Sequence, residues 1–169
     1  GDTITSLHSS DVSKRLKGQA GTKVNVTVKR PYVTDSILDF ELTREKIEID
    51  PVPYYGVQRG DIGYIQISTF NEKTFEKTRD ALLELKKNPA VKSIVLDLRG
   101  NGGGLLESAV QVVGLFVPKG TEVVRYRGRD ILNEKIFKTT HKPVDPDIPL
   151  AVLVNGSSAS AAEIVTGAL

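Results

Sequence analysis

Apolar residues along this chain follow two periods, and the change between them falls near residue 60. Before it, apolar and polar positions alternate. Val24, Val26 and Val28 share one side of the stretch 23–29, and Ile37, Phe40, Leu42, Ile47 and Ile49 continue a looser alternation up to Pro51 and Pro53. A period of two is that of a half-buried strand, so strands are expected here. Between Ser10 and Gly18, Val12 and Leu16 stand four apart ahead of a glycine stop, which predicts a short helix. Prolines at 51 and 53 suit edge or connecting strands, so residues 32–59 read as a two-strand linker. Its charges Arg44, Glu45, Lys46 and Glu48 read as a solvated face.

From Gly60 onward strands alternate with helices. Tyr64-Ile-Gln-Ile67 predicts a strand within 62–67. Thr69-Phe-Asn71 offers an N-cap for a helix of about 17 residues carrying Phe75, Leu82 and Leu85 on one face, ended by Asn88-Pro89. Residues 90–98 are almost continuously apolar, the mark of a strand covered on both faces. Strand, helix, strand in this order is a βαβ unit with a parallel sheet. A helix over 105–117 follows, then a hairpin from 123–128 and 134–140. A proline-rich loop carrying His141 comes next. The run 150–154 predicts a buried strand, punctuated by Asn155-Gly156 and followed by the helix formers Ala161-Ala-Glu-Ile164.

Two turns in this pattern carry candidate chemistry. After the strand ending at Leu98 come Arg99, Gly100, Asn101, Gly102, Gly103 and Gly104. Glycines at such density let backbone amides approach a ligand, because no Cβ intervenes. The spacing fits neither the dinucleotide fingerprint nor the phosphate loop Gly-x-x-x-x-Gly-Lys-Ser/Thr. Asp97 and Arg99 beside it read as a structural ion pair. In the second turn Ser160 stands at a helix start, where oxyanions are held. Yet Ser160-x-x-Glu163 is equally a capping box, in which the serine only satisfies a backbone donor, and spacing alone leaves both readings open.

Composition narrows the classes. The 169 residues suffice for one domain with a core, or one and a half. A net charge of +2 with interspersed signs gives no nucleic-acid patch. The absence of cysteine excludes disulfides, thiol nucleophiles and thiolate metal sites. No apolar run approaches the roughly 20 residues that span a bilayer. No His and carboxylate cluster has metal-ligand spacing, so neither metal nor cofactor is expected. His8 and His141 read as surface residues. A chain that starts with glycine, holds no methionine and stops within a predicted helix reads as a fragment or processed piece.

Four motifs in order then carry a resemblance. They are Gly-Tyr-Ile-x-Ile-x-x-Phe at 63–70, Leu-Asp-Leu-Arg-Gly-Asn-x-Gly-Gly-Leu-Leu at 96–106, Leu-Phe-x-Pro-x-Gly at 115–120, and Leu-Val-Asn-x-x-Ser-Ala-Ser-Ala-x-Glu-Ile at 153–164. Together they resemble the C-terminal processing, or tail-specific, proteases. The resemblance implies an α/β fold: a crotonase- or ClpP-like protease core with parallel βαβ units over 60–169, truncated at its C-terminus, preceded by linker strands over 32–59. Residues 1–31 resemble the second half of a PDZ domain, without its carboxylate-binding loop. The implied function is a serine endopeptidase cutting proteins near their C-termini by a Ser-Lys dyad. The implied roles are Ser160 as nucleophile, with Ser158 its neighbour, the amides of Ala161 and Gly103 as oxyanion donors with Gly102 or Gly104 as the margin, and Glu163 in support. The family often has proline at the position of Gly102 and serine at Ala162. Its lysine would lie about 25 residues past the serine, beyond Leu169. Lys138 and Lys142 match no dyad position, so these 169 residues alone are expected to be inactive. The implied partners are protein or peptide substrates bound by their tails, with no nucleic acid and with membrane association only through missing segments. The implied location is extracytoplasmic. Other classes consistent with the residues are a non-catalytic PDZ-type peptide-binding module and a crotonase-like acyl-CoA enzyme.

Overall fold

The computed structural model describes residues 3–32, 36–127 and 134–169, and its contacts divide the chain into two compact units, Gly1–Ile49 and Asp50–Leu169. In the first unit, helix α1 (Ser9–Leu16) precedes strands β1 (Lys23–Lys29) and β2 (Ile37–Thr43), which pair antiparallel from Lys23↔Thr43 to Lys29↔Ile37. None of its described residues is fully buried. What ties α1 to the hairpin is Arg44, which the sequence placed on a solvated face. Its Nε donates to Leu16 O at 2.7 Å and its Nη1 to Thr22 Oγ1 at 2.9 Å, so the guanidinium satisfies a carbonyl orphaned at the helix C-terminus.

The second unit contains β3 (Tyr54–Gln58), β4 (Ile62–Gln66), α2 (Thr74–Lys86), β5 (Ser93–Asp97), α3 (Leu106–Val113), β6 (Glu122–Arg127), β7 (Glu134–Lys138), β8 (Leu150–Leu153) and α4 (Ala161–Ala168). Its main sheet has the order β3-β4-β5-β8, antiparallel at the first pairing and parallel at the other two. The expected parallel βαβ unit is therefore present as β4-α2-β5. Ile65, Ile67, Ile94, Leu96 and Leu98 alternate onto one sheet face. There they pack against Leu82 and Leu85 of α2, Ala109, Val112 and Val113 of α3, and Ala162 and Val165 of α4. Burying a side chain of this size stabilises by about 1.5–3 kcal/mol, so this layer holds the unit together.

Three expectations are corrected. Residues 32–59 are not a separate linker: β2 completes the hairpin of the first unit and β3 is an edge strand of the second unit's sheet, so the division falls at 49/50. The alternation read through Ile47 and Ile49 does not extend β2, and both side chains are exposed. The strand β8 is an edge rather than a buried strand, and Leu153 is 36% exposed. Elsewhere the helices are shorter than their apolar patterns. The β6-β7 hairpin pairs antiparallel as expected, while its turn, including Gly128, lies outside the described residues.

Candidate active site

Because β5 and β8 are parallel neighbours, the segments that follow them leave the same end of the sheet. Those segments are the glycine loop and the turn of Ser160. The chain stitches them together with four hydrogen bonds. Leu98 N–H donates to Leu153 O at 2.8 Å and Ala159 N–H to Asn101 O at 3.0 Å. Gly100 N–H donates to Asn155 Oδ1 at 3.0 Å, and Ser158 Oγ to Leu98 O at 2.8 Å.

The two serines thereby separate. Ser158 is committed on both sides, since its oxygen also accepts the Asn155 N–H at 3.0 Å. Ser160 is exposed, and its hydroxyl donates to no acceptor among the described residues; the group that faces its oxygen is the Glu163 N–H of the capping box. Its backbone lies at φ 55°, ψ −116°, a region that only glycine visits without strain and that costs about 1–3 kcal/mol for another residue. The capping box is present on both sides: the Ser160 side chain faces the Glu163 N–H and the Glu163 side chain faces the Ser160 N–H. The Glu163 carboxylate accepts the Ser160 N–H at 2.7 Å, and the Glu163 N–H also donates to the Ser160 carbonyl at 2.9 Å. The Ala161 N–H, at the start of α4, has no acceptor among the described residues. It is therefore an open donor at the positive end of the helix dipole.

Gly103 lies directly against this turn. A Cβ at Gly103 would stand 2.7 Å from Ser160 Cβ and 3.0 Å from Ala161 N, and its φ of +97° excludes most side chains as well. Its N–H, however, donates to Asn101 Oδ1 at 2.8 Å. That amide reaches an oxyanion only by sharing or leaving this acceptor. Among the loop amides, those of Gly102 and Gly104 have no acceptor among the described residues. On the loop's far side, Phe70 N–H donates to Gly103 O at 3.0 Å and Leu105 N–H to Phe70 O at 2.7 Å, which lashes the glycines to the extension of β4.

Asp97 and Arg99 form the structural ion pair read from the sequence. Asp97 accepts from Arg99 Nη2 at 2.6 Å, from Arg99 Nε at 3.0 Å, from the Arg99 N–H at 2.9 Å and from Tyr64 Oη at 2.5 Å. The guanidinium outweighs burial and holds the Asp97 carboxyl at about 2. Burial, then the bond to Asp97, pushes the Tyr64 hydroxyl up. His141 is not part of the site. Its ring packs on Phe75 with centroids 4.7 Å apart, and its nitrogens lie 3.1 Å from Gln111 O and 3.2 Å from Lys142 O. Among the described residues no group of three or more His, Asp or Glu is placed to hold a metal. Sequence reasoning missed Asn101, Asn155 and Tyr64. The signal available was a short amide side chain next to each turn, a residue that bonds nearby backbone and so fixes loops.

The sequence profile of peptidase family S41 matches residues 61–169, the greater part of the chain. The chain belongs to peptidase family S41. It is 37% identical over its whole length to the carboxy-terminal-processing protease of Bartonella bacilliformis. It is 33% identical over its whole length to the chloroplastic C-terminal processing peptidase of Tetradesmus obliquus. It spans 41% and 38% of those two proteins. A solved photosystem II D1 C-terminal processing protease superposes on 94% of the chain with a TM-score of 0.63 at 34% identity, over 44% of its own length. The mixed α/β architecture with its parallel strands is thus that of an S41 protease.

Proposed function

We propose that this chain carries the nucleophile half of a serine endopeptidase that cleaves proteins near their C-termini. The observation that supports this most is Ser160 itself: a non-glycine residue held in strained backbone between a strand and a helix, its exposed hydroxyl donating to no described acceptor, next to an open helix N-terminal amide. Strain of this kind is kept where it exposes a nucleophile. Ser160 Oγ attacks the scissile carbonyl and the carbonyl oxygen takes up negative charge, facing the Ala161 N–H and the glycine loop packed against it. The serine proton passes to a neutral lysine and then to the departing amine. Water, giving its proton to the same lysine, cleaves the resulting ester and frees the serine. We place that lysine outside these 169 residues, in line with the resemblance and with the share of its relatives that the chain spans. Glu163, by accepting the Ser160 N–H, holds the turn rather than moving protons. Under this reading the core is of the crotonase and ClpP type, the first unit is part of a PDZ domain that engages substrate tails, and the protein works outside the cytoplasm. No helix among the described residues is long and apolar enough to cross a membrane.

A peptide-binding module without chemistry has no use for a strained, exposed serine, and an acyl-CoA enzyme has no use for a tail-binding unit. The test is hydrolysis of an unstructured protein with a free C-terminus by the full-length protein and its Ser160→Ala variant. Loss of cleavage with retained binding is expected. Cleavage by the alanine variant would overturn the assignment, and turnover of a thioester substrate would revive the acyl-CoA class.

A further inference from the structure

We infer that Asn101 is the positioning residue of the active site, setting through its carboxamide where the glycine loop meets Ser160. The inference rests on the reading of Ser160 as nucleophile. Asn101 is fully buried and every hydrogen-bonding end of it is used across a different seam. Its Nδ2 donates to Ile67 O at 2.8 Å, in the extension of β4. Its Oδ1 accepts the Gly103 N–H at 2.8 Å, inside the loop. Its main-chain oxygen accepts the Ala159 N–H at 3.0 Å, one residue before Ser160. One residue therefore joins the sheet, the glycine loop and the serine turn. The joint is tight, since Gly103 is so close to Ser160 that even a methyl group does not fit between them. A loop so placed has little freedom of its own: glycines at 100, 102, 103 and 104 leave its backbone the most mobile chemistry available, and the carboxamide removes that mobility where the oxyanion forms. Fixed donors are what stabilise developing charge, so loss of the joint falls on kcat rather than on substrate binding.

Asparagine and aspartate differ here in a way that can be read. Aspartate keeps an acceptor for the Gly103 N–H. When ionised, it sets a second carboxylate oxygen against Ile67 O, where Nδ2 donated; when protonated, it donates there as the amide did. In the full-length protein, kcat and KM for a tail peptide are measured for wild type, Asn101→Ala, Asn101→Asp and Ser160→Ala across pH. Each rate is divided by the folded fraction from far-UV circular dichroism at that pH. Asn101→Ala is expected to lower kcat at least thirtyfold with KM within threefold. Asn101→Asp is expected to recover at least tenfold over alanine at acid pH, relative to wild type at the same pH, and to lose that recovery as its carboxyl ionises. An unchanged or raised kcat in the alanine variant overturns the inference, as does an aspartate variant that tracks alanine at every pH. If neither variant folds at any pH, the residue belongs to the fold alone and the inference also fails. Activity in Ser160→Ala would instead sink the reading of the nucleophile.

Discussion

A single hydroxyl separates structure from chemistry in the serine turn. Ser158 bonds Leu98 O and Asn155 N–H, so Ser158→Ala should cost about 1 kcal/mol of stability through two lost hydrogen bonds, with cleavage retained in the folded fraction. Ser160 donates no hydrogen bond to a described residue and faces only the Glu163 N–H of its capping box. Replacing it by glycine removes both the hydroxyl and the steric strain at φ 55°, so Ser160→Gly should abolish cleavage and raise the unfolding free energy by about 1 kcal/mol. Urea titration monitored by circular dichroism checks both. A Ser160→Gly protein less stable than wild type would show that the conformation is not strained.

Between elements, the ion pair at the end of β5 gives the unit a dependence on acid. The Asp97 carboxyl is held at about 2, below its ordinary 3.8, so the folded state binds this proton less readily than the unfolded one. Its contribution to stability is present in full above pH 4 and is lost as pH falls through about 2. Arg99 is half exposed, so solvent screens the pair and reduces what it contributes. In Arg99→Ala the acid unfolding midpoint should move to higher pH, because only the Tyr64 hydroxyl and the main-chain N–H of residue 99 then oppose the effect of burial on Asp97. An unmoved midpoint would mean that Tyr64 suffices. At the other contact of the loop, a Cβ on Gly104 would stand 2.0 Å from Phe70 O at φ +141°, so Gly104→Ala should destabilise by about 2–4 kcal/mol in a thermal melt.

Much of this level was legible in the chain. The apolar runs at 62–67 and 90–98 set β4 and β5, since a strand covered on a face must be apolar whatever its neighbours. The edge position of β8 was not legible, because Leu150, Val152 and Leu153 would serve a central strand equally well and pairing partners leave no local trace. Nor was the division of 32–59: β2 and β3 carry similar alternation, and only long-range pairing assigns one to each unit. In the site, Ser160 and Gly103 stood out by motif. Asn101 and Asn155 did not, because an asparagine in a turn looks the same whether it bonds its own loop or another.

At the scale of the molecule, the two units differ in what holds them. Residues 50–169 have a packed layer of aliphatic side chains, whereas among the described residues of 1–49 none is fully buried. Expressed separately, 50–169 should melt cooperatively in calorimetry and 1–49 should give no heat-absorption peak. A sharp transition for 1–49 would show that Arg44 and the hairpin suffice. The 169 residues together should cleave nothing, and added full-length Ser160→Ala protein should not restore activity if the base must come from the same chain. Parallel pairing also sets a schedule. The glycine loop can be in place once β4, α2 and β5 are synthesised, but Ser160 acquires its backbone conformation only when β8, the last of the sheet's described strands in chain order, docks beside β5. A ribosome making this protein therefore extrudes the glycine loop well before the turn that carries the proposed nucleophile. Under the reading of Ser160 as nucleophile, the growing chain stays harmless to its own unfolded segments until the base, placed outside these 169 residues, joins the site.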